Sequence, residues 1–291
     1  RVKKRLLIPA LTSNQAGEAL LGLGNLTPAL SVEGTRRRTD ARRGEGIFDR
    51  VLEAMVLLRD EGAPFGISIT VTRDNAEEVL SDAFLNFFFE ERDAFYAFLF
   101  HHMPIGELGH RSLDRVPTPR QRIDLWRRTW HAVEAKRIFL FDFWNSGPLV
   151  RGCVSAGRER GYVYIDWNGK VMPCVFAPYA AADIHQIYAR GGTLQDVWDT
   201  PFFRTIRRWQ RTYGYGQEDP TAEGNWLRSC PIRDHYDLFS DWIERLGPEP
   251  EDEMARQVLT DDTFHQRMVA YGRELEALSR PIWEEEYIQT S

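Results

Sequence analysis

The sequence predicts an α/β fold, a parallel sheet of βα units over about residues 27–142, followed by a smaller α+β module to about residue 247. Short β-rich runs alternate with amphipathic stretches in the first part, the pattern of strands joined by crossover helices. Each run ends in polar or Gly/Pro-bearing residues, and in parallel sheets and barrels ligands sit at those carboxyl ends. Past Phe141 the alternation stops, and Asn168-Gly169 sits between two extended runs, the signature of a β-hairpin.

The elements follow in order. Thr27 to Val32 is the first strand. The stretch Phe48 to Glu61 carries Val51, Leu52, Met55 and Leu58 at helical spacing, and Gly62 stops that helix. Phe65 to Val71 is the second strand, and Asp74 or Asn75 is placed to cap a helix through Val79 and Leu80. A third strand spans about Phe95 to Phe100. A helix from Pro119 to Lys136, bearing Ile123, Leu125, Trp126, Trp130 and Val133, leads to the fourth, Ile138 to Phe141. In the module, Tyr162 to Trp167 and Val171 to Cys174 flank a turn expected to be type I′. Leu194 to Trp198 and Phe202 to Tyr213 read as helices. Residues 248–253 are expected to be an acidic linker, and Phe264 to Leu278 a mostly polar terminal helix.

Of the 291 residues, 37 are basic and 43 acidic, for a net charge of −6. With 43% hydrophobic and 27% charged residues, the chain is neither disordered nor fibrous. No apolar run approaches the roughly 20 residues of a membrane helix, and the basic start, Arg1 to Arg5, precedes only a stub, Leu6 to Ala10. The expectation is a cytoplasmic protein with no membrane partner. Mild acidity argues against nucleic acid as a partner, and the arginines at 36–38 and 42–43 read as a solvated loop. Of the adjacent His101 and His102, a strand directs only one inward, where it reads as a core histidine.

The three cysteines, Cys153, Cys174 and Cys230, are an odd number and sparse, as in a reducing compartment. No two form Cys-x-x-Cys, so zinc-ribbon and thioredoxin readings fail on spacing. Thiolates bracketing a hairpin suit an iron–sulfur cluster, which takes soft ligands at variable spacing. Zinc held by these cysteines and His235, or three inert buried thiols, are the alternatives that spacing leaves open.

The run Gly152-Cys153-Val154-Ser155-Ala156-Gly157-Arg158, then Tyr162 to Ile165, Asn168-Gly169-Lys170-Val171-Met172-Pro173-Cys174 and later Cys230-Pro231-Ile232-Arg233-Asp234, resembles the SPASM or twitch auxiliary-cluster region of radical S-adenosylmethionine (radical SAM) proteins. Upstream, Leu26 to Gly34, Ser68 to Arg73 and His102 to Gly106 are similar to the fourth, fifth and sixth strand ends of that family's partial (β/α) barrel. The resemblance covers about Gly22 to Asp234. It departs from the family in one large respect. No Cys-x-x-x-Cys-x-x-Cys loop is present, since no cysteine precedes Cys153, and the Gly-Gly-Glu-Pro type motif is missing. Leu6 to Asn14 is a poor version of a third barrel strand, and the expectation is that the N-terminal part of the barrel lies outside this sequence. The alternative is a non-catalytic iron–sulfur or zinc binding module that has lost the catalytic cluster site and works beside another subunit.

The resemblance implies radical chemistry on a substrate it does not name. S-adenosylmethionine would bind the open iron of a four-iron cluster and yield a 5′-deoxyadenosyl radical, with a ferredoxin or flavodoxin as electron donor. It further implies that Ser31, Glu33 and Arg73 contact the cofactor's ribose or carboxylate, the arginine fork matching a carboxylate bidentately. Met103 and Gly106 would border the adenine. An auxiliary 4Fe-4S cluster would be held by Cys153, Cys174 and Cys230, with Asp234 as the nearest candidate for the fourth iron and His235 second.

Overall fold

Runs of β-branched and aromatic residues form one parallel sheet of four strands, β1 (Ala29–Val32), β2 (Gly66–Val71), β3 (Tyr96–His101) and β4 (Phe139–Asp142), in the order β1-β2-β3-β4. The structure, a computed structural model, describes residues 26–105, 110–159, 161–220 and 223–288. Gly106 and the N-terminal stub lie outside these residues. Ser31, Ser68, Phe98 and Phe141 share one row across the sheet. Parallel neighbours in chain order, with helical segments in the connections, match the wall of a (β/α) barrel. The helices of this part are α1 (Arg36–Arg43), α2 (Ile47–Asp60), α3 (Asp82–Leu85) and α4 (Pro119–Glu134).

The strands have two unlike faces. Leu30, Val32, Ile67, Ile69, Val71, Ala97, Leu99 and Leu140 are buried and join Val51, Ala54, Met55 and Leu58 of α2 and Leu125 and Ala132 of α4 in one core. Each large apolar side chain so buried contributes about 1.5–3 kcal/mol. The alternate residues, Ser31, Ser68, Thr70, Phe98, Phe100 and Phe141, stay half-buried. At the amino edge the Tyr96 ring lies across Gly66, where a Cβ would stand 2.5 Å from the ring, so only glycine fits. The Tyr96 hydroxyl donates to the Thr27 and Pro28 carbonyls at 3.0 and 3.1 Å, fixing the entry to β1.

Two expectations about this part are corrected. The helix foreseen through Val79 begins only at Asp82, because Ser81 is its cap, accepting from Phe84 N at 3.2 Å, and Leu80 just before it has φ +63°. The arginine run is helix α1 rather than a solvated loop. Its arginines pair with acids outside the run, Arg36 with Asp49, Arg38 with Glu78, and Arg42 and Arg43 with Glu33.

The second unit takes Met103–Arg120 and everything from Trp144 onward, while the first keeps the described residues up to His102 with Gln121–Phe143. Its strands are β5 (Tyr164–Ile165), β6 (Lys170–Met172), β7 (Tyr179–Ala180), β8 (Ala182–Asp183) and β9 (Glu249–Pro250), in sheets β5-β6-β8 and β7-β9. Its helices are α5 (Gly147–Val150), α6 (Ile184–Ala189), α7 (Leu194–Trp198), α8 (Pro201–Gln210), α9 (Pro231–Asp234), α10 (Tyr236–Leu246), α11 (Glu253–Val258) and α12 (Asp262–Trp283). The hairpin forms as expected, with Tyr164 opposite Met172, but its turn is not type I′. Only Gly169 takes a positive φ, +82°, and the Asp166 carboxylate accepts from the amides of Asn168 and Lys170 at 2.9 and 2.8 Å. That is a side-chain-closed turn with one left-handed residue.

Residues 248–253 are not a linker. Glu249 pairs with Ala180 across β7-β9, its carboxylate meets Lys170 Nζ at 2.5 Å, and Asp252 caps α11. The stretch Phe264 to Leu278 is helical as expected, with a buried stripe of Phe264, Met268 and Leu275, and α12 runs on to bury Ile282 and Trp283. Gly272 lets it cross α9 closely, as a Cβ there would stand 2.4 Å from the Asp234 carbonyl oxygen.

Candidate functional site

Cys153, Cys174 and Cys230 come from three separate loops of the second unit, and all three are free. The first two loops are tied together by Ala156 N donating to the Pro173 carbonyl at 2.8 Å, with Ala156 and Gly157 both at positive φ. Gly157 must be glycine, because a Cβ would stand 2.3 Å from the Trp198 indole nitrogen, which donates to the Gly157 carbonyl at 2.9 Å. Cys230 precedes α9, where its amide donates to Asp234 Oδ2 at 3.1 Å and its carbonyl accepts from Asp234 N at 2.8 Å.

The thiols face one another electrostatically. Burial pushes the Cys174 thiol up to about 12, with a further push from Cys153, and burial, Asp234 and Cys153 raise Cys230. Each sulfur also has a donor at hand. The Ser155 hydroxyl lies 3.2 Å from Cys153 Sγ and is held by Gln210 Nε2 at 3.1 Å. Cys174 Sγ receives Phe176 N at 3.4 Å and has the Tyr162 hydroxyl at 2.9 Å. The Arg233 amide donates to Cys230.

Among the described residues, no group of three or more His, Cys, Asp or Glu side chains is gathered tightly enough for one metal ion. A single tetrahedral zinc, with bonds of about 2.3 Å to sulfur, needs its thiolates nearly in contact, whereas a four-iron cube spaces them wider. Arg233 adds an argument from charge. Its guanidinium is fully buried, 4.3 Å from the Trp144 ring centre, and Nη1 and Nη2 have no hydrogen-bond acceptor. A buried cation with unspent donors near a thiol suits an acceptor-rich anion, and the three-thiol set fits an iron–sulfur cluster.

Both oxygens of Asp234 are engaged, Oδ2 by Cys230 N and Oδ1 by Arg233 Nε at 3.1 Å. His235 Nε2 lies 2.9 Å from the Arg228 carbonyl oxygen, and its ring packs edge-on against Trp209 and Tyr213. Burial depresses its pKa to about 4, so it is neutral. Sequence reasoning did not single out Ser155, Tyr162 or Gln210, because serine, tyrosine and glutamine in turns, strands and helices carry no motif of their own.

The carboxyl ends of the sheet form a second group. Ser31 is half-buried in the row it shares with Ser68. Glu33 is buried, with Oε1 2.5 Å from Arg43 Nη2 and Oε2 3.5 Å from Arg42 Nη1. Burial outweighs these two cations and raises its pKa. Arg73 is exposed just beyond β2. Asn75, placed by the sequence as a cap, instead joins the two strand ends. Its amide nitrogen donates to the Glu33 and Thr70 carbonyls at 2.9 and 3.0 Å, and its oxygen accepts from Thr72 N at 2.6 Å. His101 is the core histidine expected, buried with Nε2 3.1 Å from Asp142 Oδ2. Met103 is buried in the second unit's core and lines a small apolar cavity with Ile105, Tyr179, Ile232 and Phe264.

Comparison with known proteins gives the site its context. Residues 153–223 match the SPASM family, described as an iron–sulfur cluster-binding domain. The AdoMet-dependent heme synthase of Methanosarcina barkeri (strain Fusaro / DSM 804) is 26% identical over 215 residues, 65% of this chain and 58% of that protein's length. Among solved structures, native anSMEcpe with bound AdoMet is 15% identical, covering 87% of this chain and 73% of its own, with a TM-score of 0.49. SuiB of Streptococcus suis is 14% identical, covering 75% and 52%, with a TM-score of 0.48. The family match begins at Cys153 itself and takes in the hairpin and Cys174. Over residues 153–223 this chain thus matches the SPASM iron–sulfur cluster-binding domain, and over 215 residues it is similar to an AdoMet-dependent protein of which it spans 58%.

Proposed function

We propose that this chain is the sheet and auxiliary-cluster portion of a radical SAM enzyme, with Cys153, Cys174 and Cys230 as the protein ligands of one 4Fe-4S cluster. The observation that carries this reading is the set of three mutually interacting thiols from three loops, each with its own hydrogen-bond donor, of which Cys153 and Cys174 lie inside the matched domain and Cys230 seven residues beyond it. When bound, the cluster supplies electron storage or an open iron for substrate. The protein's own residues hold the sulfurs in place and shield them. Asp234, with both oxygens already engaged, serves in this reading to fix the Cys230 turn rather than to bind iron.

At the sheet, S-adenosylmethionine would lie against the half-buried face at the carboxyl ends of β1 and β2. Such a cofactor needs a hydroxyl or amide for its ribose and a cation for its carboxylate, and Ser31 and Arg73 offer these chemistries at adjacent strand ends. Glu33, already paired with Arg42 and Arg43, shapes the loop between them through its ion pairs. A reductant of the ferredoxin or flavodoxin class would deliver the electron.

The test is anaerobic reconstitution with iron and sulfide, followed by quantitation and paramagnetic resonance. The expected result is four irons and four sulfides per chain, lost in each cysteine variant and retained in Asp234→Asn. Stoichiometric zinc without sulfide, or iron content indifferent to all three cysteines, would overturn the assignment.

A further inference from the structure

We propose that the Tyr162 hydroxyl donates a hydrogen bond to the Cys174 thiolate of the auxiliary cluster and thereby sets the cluster's reduction potential. The inference rests on the assignment of Cys174 as a cluster ligand. Tyr162 Oη lies 2.9 Å from Cys174 Sγ, and the same phenol is within electrostatic range of Cys153 and Cys230. A ligating thiolate carries no proton and can only accept, so the hydroxyl must be the donor.

The backbone holds the phenol in that position. Tyr162 N donates to the Val154 carbonyl at 3.0 Å, and its carbonyl accepts from Gly157 N at 3.0 Å. Tyr162 is thus anchored on both sides to the loop that begins at Cys153, while its side chain crosses to the loop that ends at Cys174. It bridges two ligand loops through one polar atom. Cys153 and Cys230 have other donors, the Ser155 hydroxyl and the Arg233 amide. Among these side-chain hydroxyls, that of Tyr162 makes the shorter contact.

The consequence follows from charge. Reduction adds one negative charge to the cluster and its thiolates, so a donor at sulfur is bound more strongly in the reduced state. Removing the donor disfavours reduction and moves the midpoint to a more negative potential. A residue acting from outside the ligand set in this way changes the potential without changing the iron count.

Tyr162→Phe keeps the ring and removes the hydroxyl. In the full chain reconstituted anaerobically with iron and sulfide, its metal and sulfide content is expected to equal the wild type. In a redox titration followed by paramagnetic resonance, the ratio of reduced to oxidised cluster at the wild-type midpoint is expected to fall about tenfold, equivalent to about 59 mV for one electron. Tyr213→Phe is the control, since its hydroxyl donates to the Asn225 carbonyl at 3.1 Å and should leave the midpoint unmoved. Should Tyr162→Phe fold poorly, 3-fluorotyrosine at position 162, a stronger donor, is expected to shift the midpoint the other way. An unmoved midpoint in these proteins overturns the proposal, as does loss of iron from Tyr162→Phe, which would make the oxygen a ligand. A wild type that takes up no cluster defeats the ligand assignment instead, so the two failures are distinguishable.

Discussion

The two units reach their folded states by different means. The sheet unit is regular, with four parallel strands whose alternate residues fill one apolar core against α2 and α4. Its buried polar groups sit at the strand ends, as Glu33, Asn75, His101 and Asp142 do, and in its helices, as Thr39, Arg122 and Thr129 do. The cluster unit has strands of two or three residues and twists through Arg151, Gly152, Ala156, Gly157 and Gly169 at positive φ. It buries Arg158, Gln210, Asn225, Arg233 and Asp234 among its aromatics. A regular unit is stabilised by burial summed over many side chains, so no single residue decides it. An irregular one, built round polar loops, depends on whatever joins those loops, and here three thiols occupy that position.

Cys174→Ala breaks the comparison most sharply. It is expected to abolish iron binding and raise amide hydrogen exchange throughout about residues 143–240, while β1 to β4 keep wild-type protection. Equal loosening of both units would show that the cluster does not hold the second one. Arg73→Ala tests the other side. Arg73 is exposed, so its loss should leave the melting temperature nearly unchanged. In a form of the protein carrying a Cys-x-x-x-Cys-x-x-Cys loop, calorimetry should show S-adenosylmethionine affinity lowered about tenfold or more, from a charge-assisted contact of about 1.5–3 kcal/mol. A lowered melting temperature with unchanged affinity would assign Arg73 to structure.

The smallest effect is a pH dependence. Burial raises the Glu33 pKa above its usual 4.5, so the folded sheet unit binds this proton more tightly than the unfolded chain. Its protonation therefore favours the fold at acid pH, and that contribution is lost as pH rises from about 4.5 through the raised value, with a slope below about 1.4 kcal/mol per pH unit. Glu33→Gln should flatten this part of the curve, read from urea midpoints with exchange protection on the sheet as the probe. An unchanged slope would show that the two arginines hold the carboxylate charged throughout.

The sheet was legible because Phe65 to Val71 and its counterparts combine β-branched and aromatic residues in short runs, and the boundaries moved by only one or two residues. The arginine run and the acidic run were misjudged for one reason. Their partners, Glu33, Asp49 and Glu78 for the first and Ala180 and Lys170 for the second, lie outside the runs themselves, and periodicity is blind to them. The cysteines were legible through the resemblance rather than through spacing, which left zinc and inert buried thiols open. Asp234 shows where such reasoning stops. Proximity to Cys230 was correct, but the direction of its oxygens is set by the turn of α9 and by Arg233.

The Asn75 clasp makes one position of the sheet unit intolerant of its nearest isostere. The amide spends both protons on carbonyls, those of Glu33 and Thr70, and its oxygen on the Thr72 amide. Alanine there leaves three backbone groups to find water, but a carboxylate of the same shape would set a negative oxygen against two carbonyl oxygens, within a fully buried residue beside a buried glutamate. Asn75→Asp is therefore expected to lower the urea midpoint of the sheet unit more than Asn75→Ala does, though it changes one atom. Spontaneous deamidation at this residue would deliver the same lesion, and burial with a fully engaged amide protects it, in contrast to the exposed Asn168 that precedes Gly169 in the hairpin.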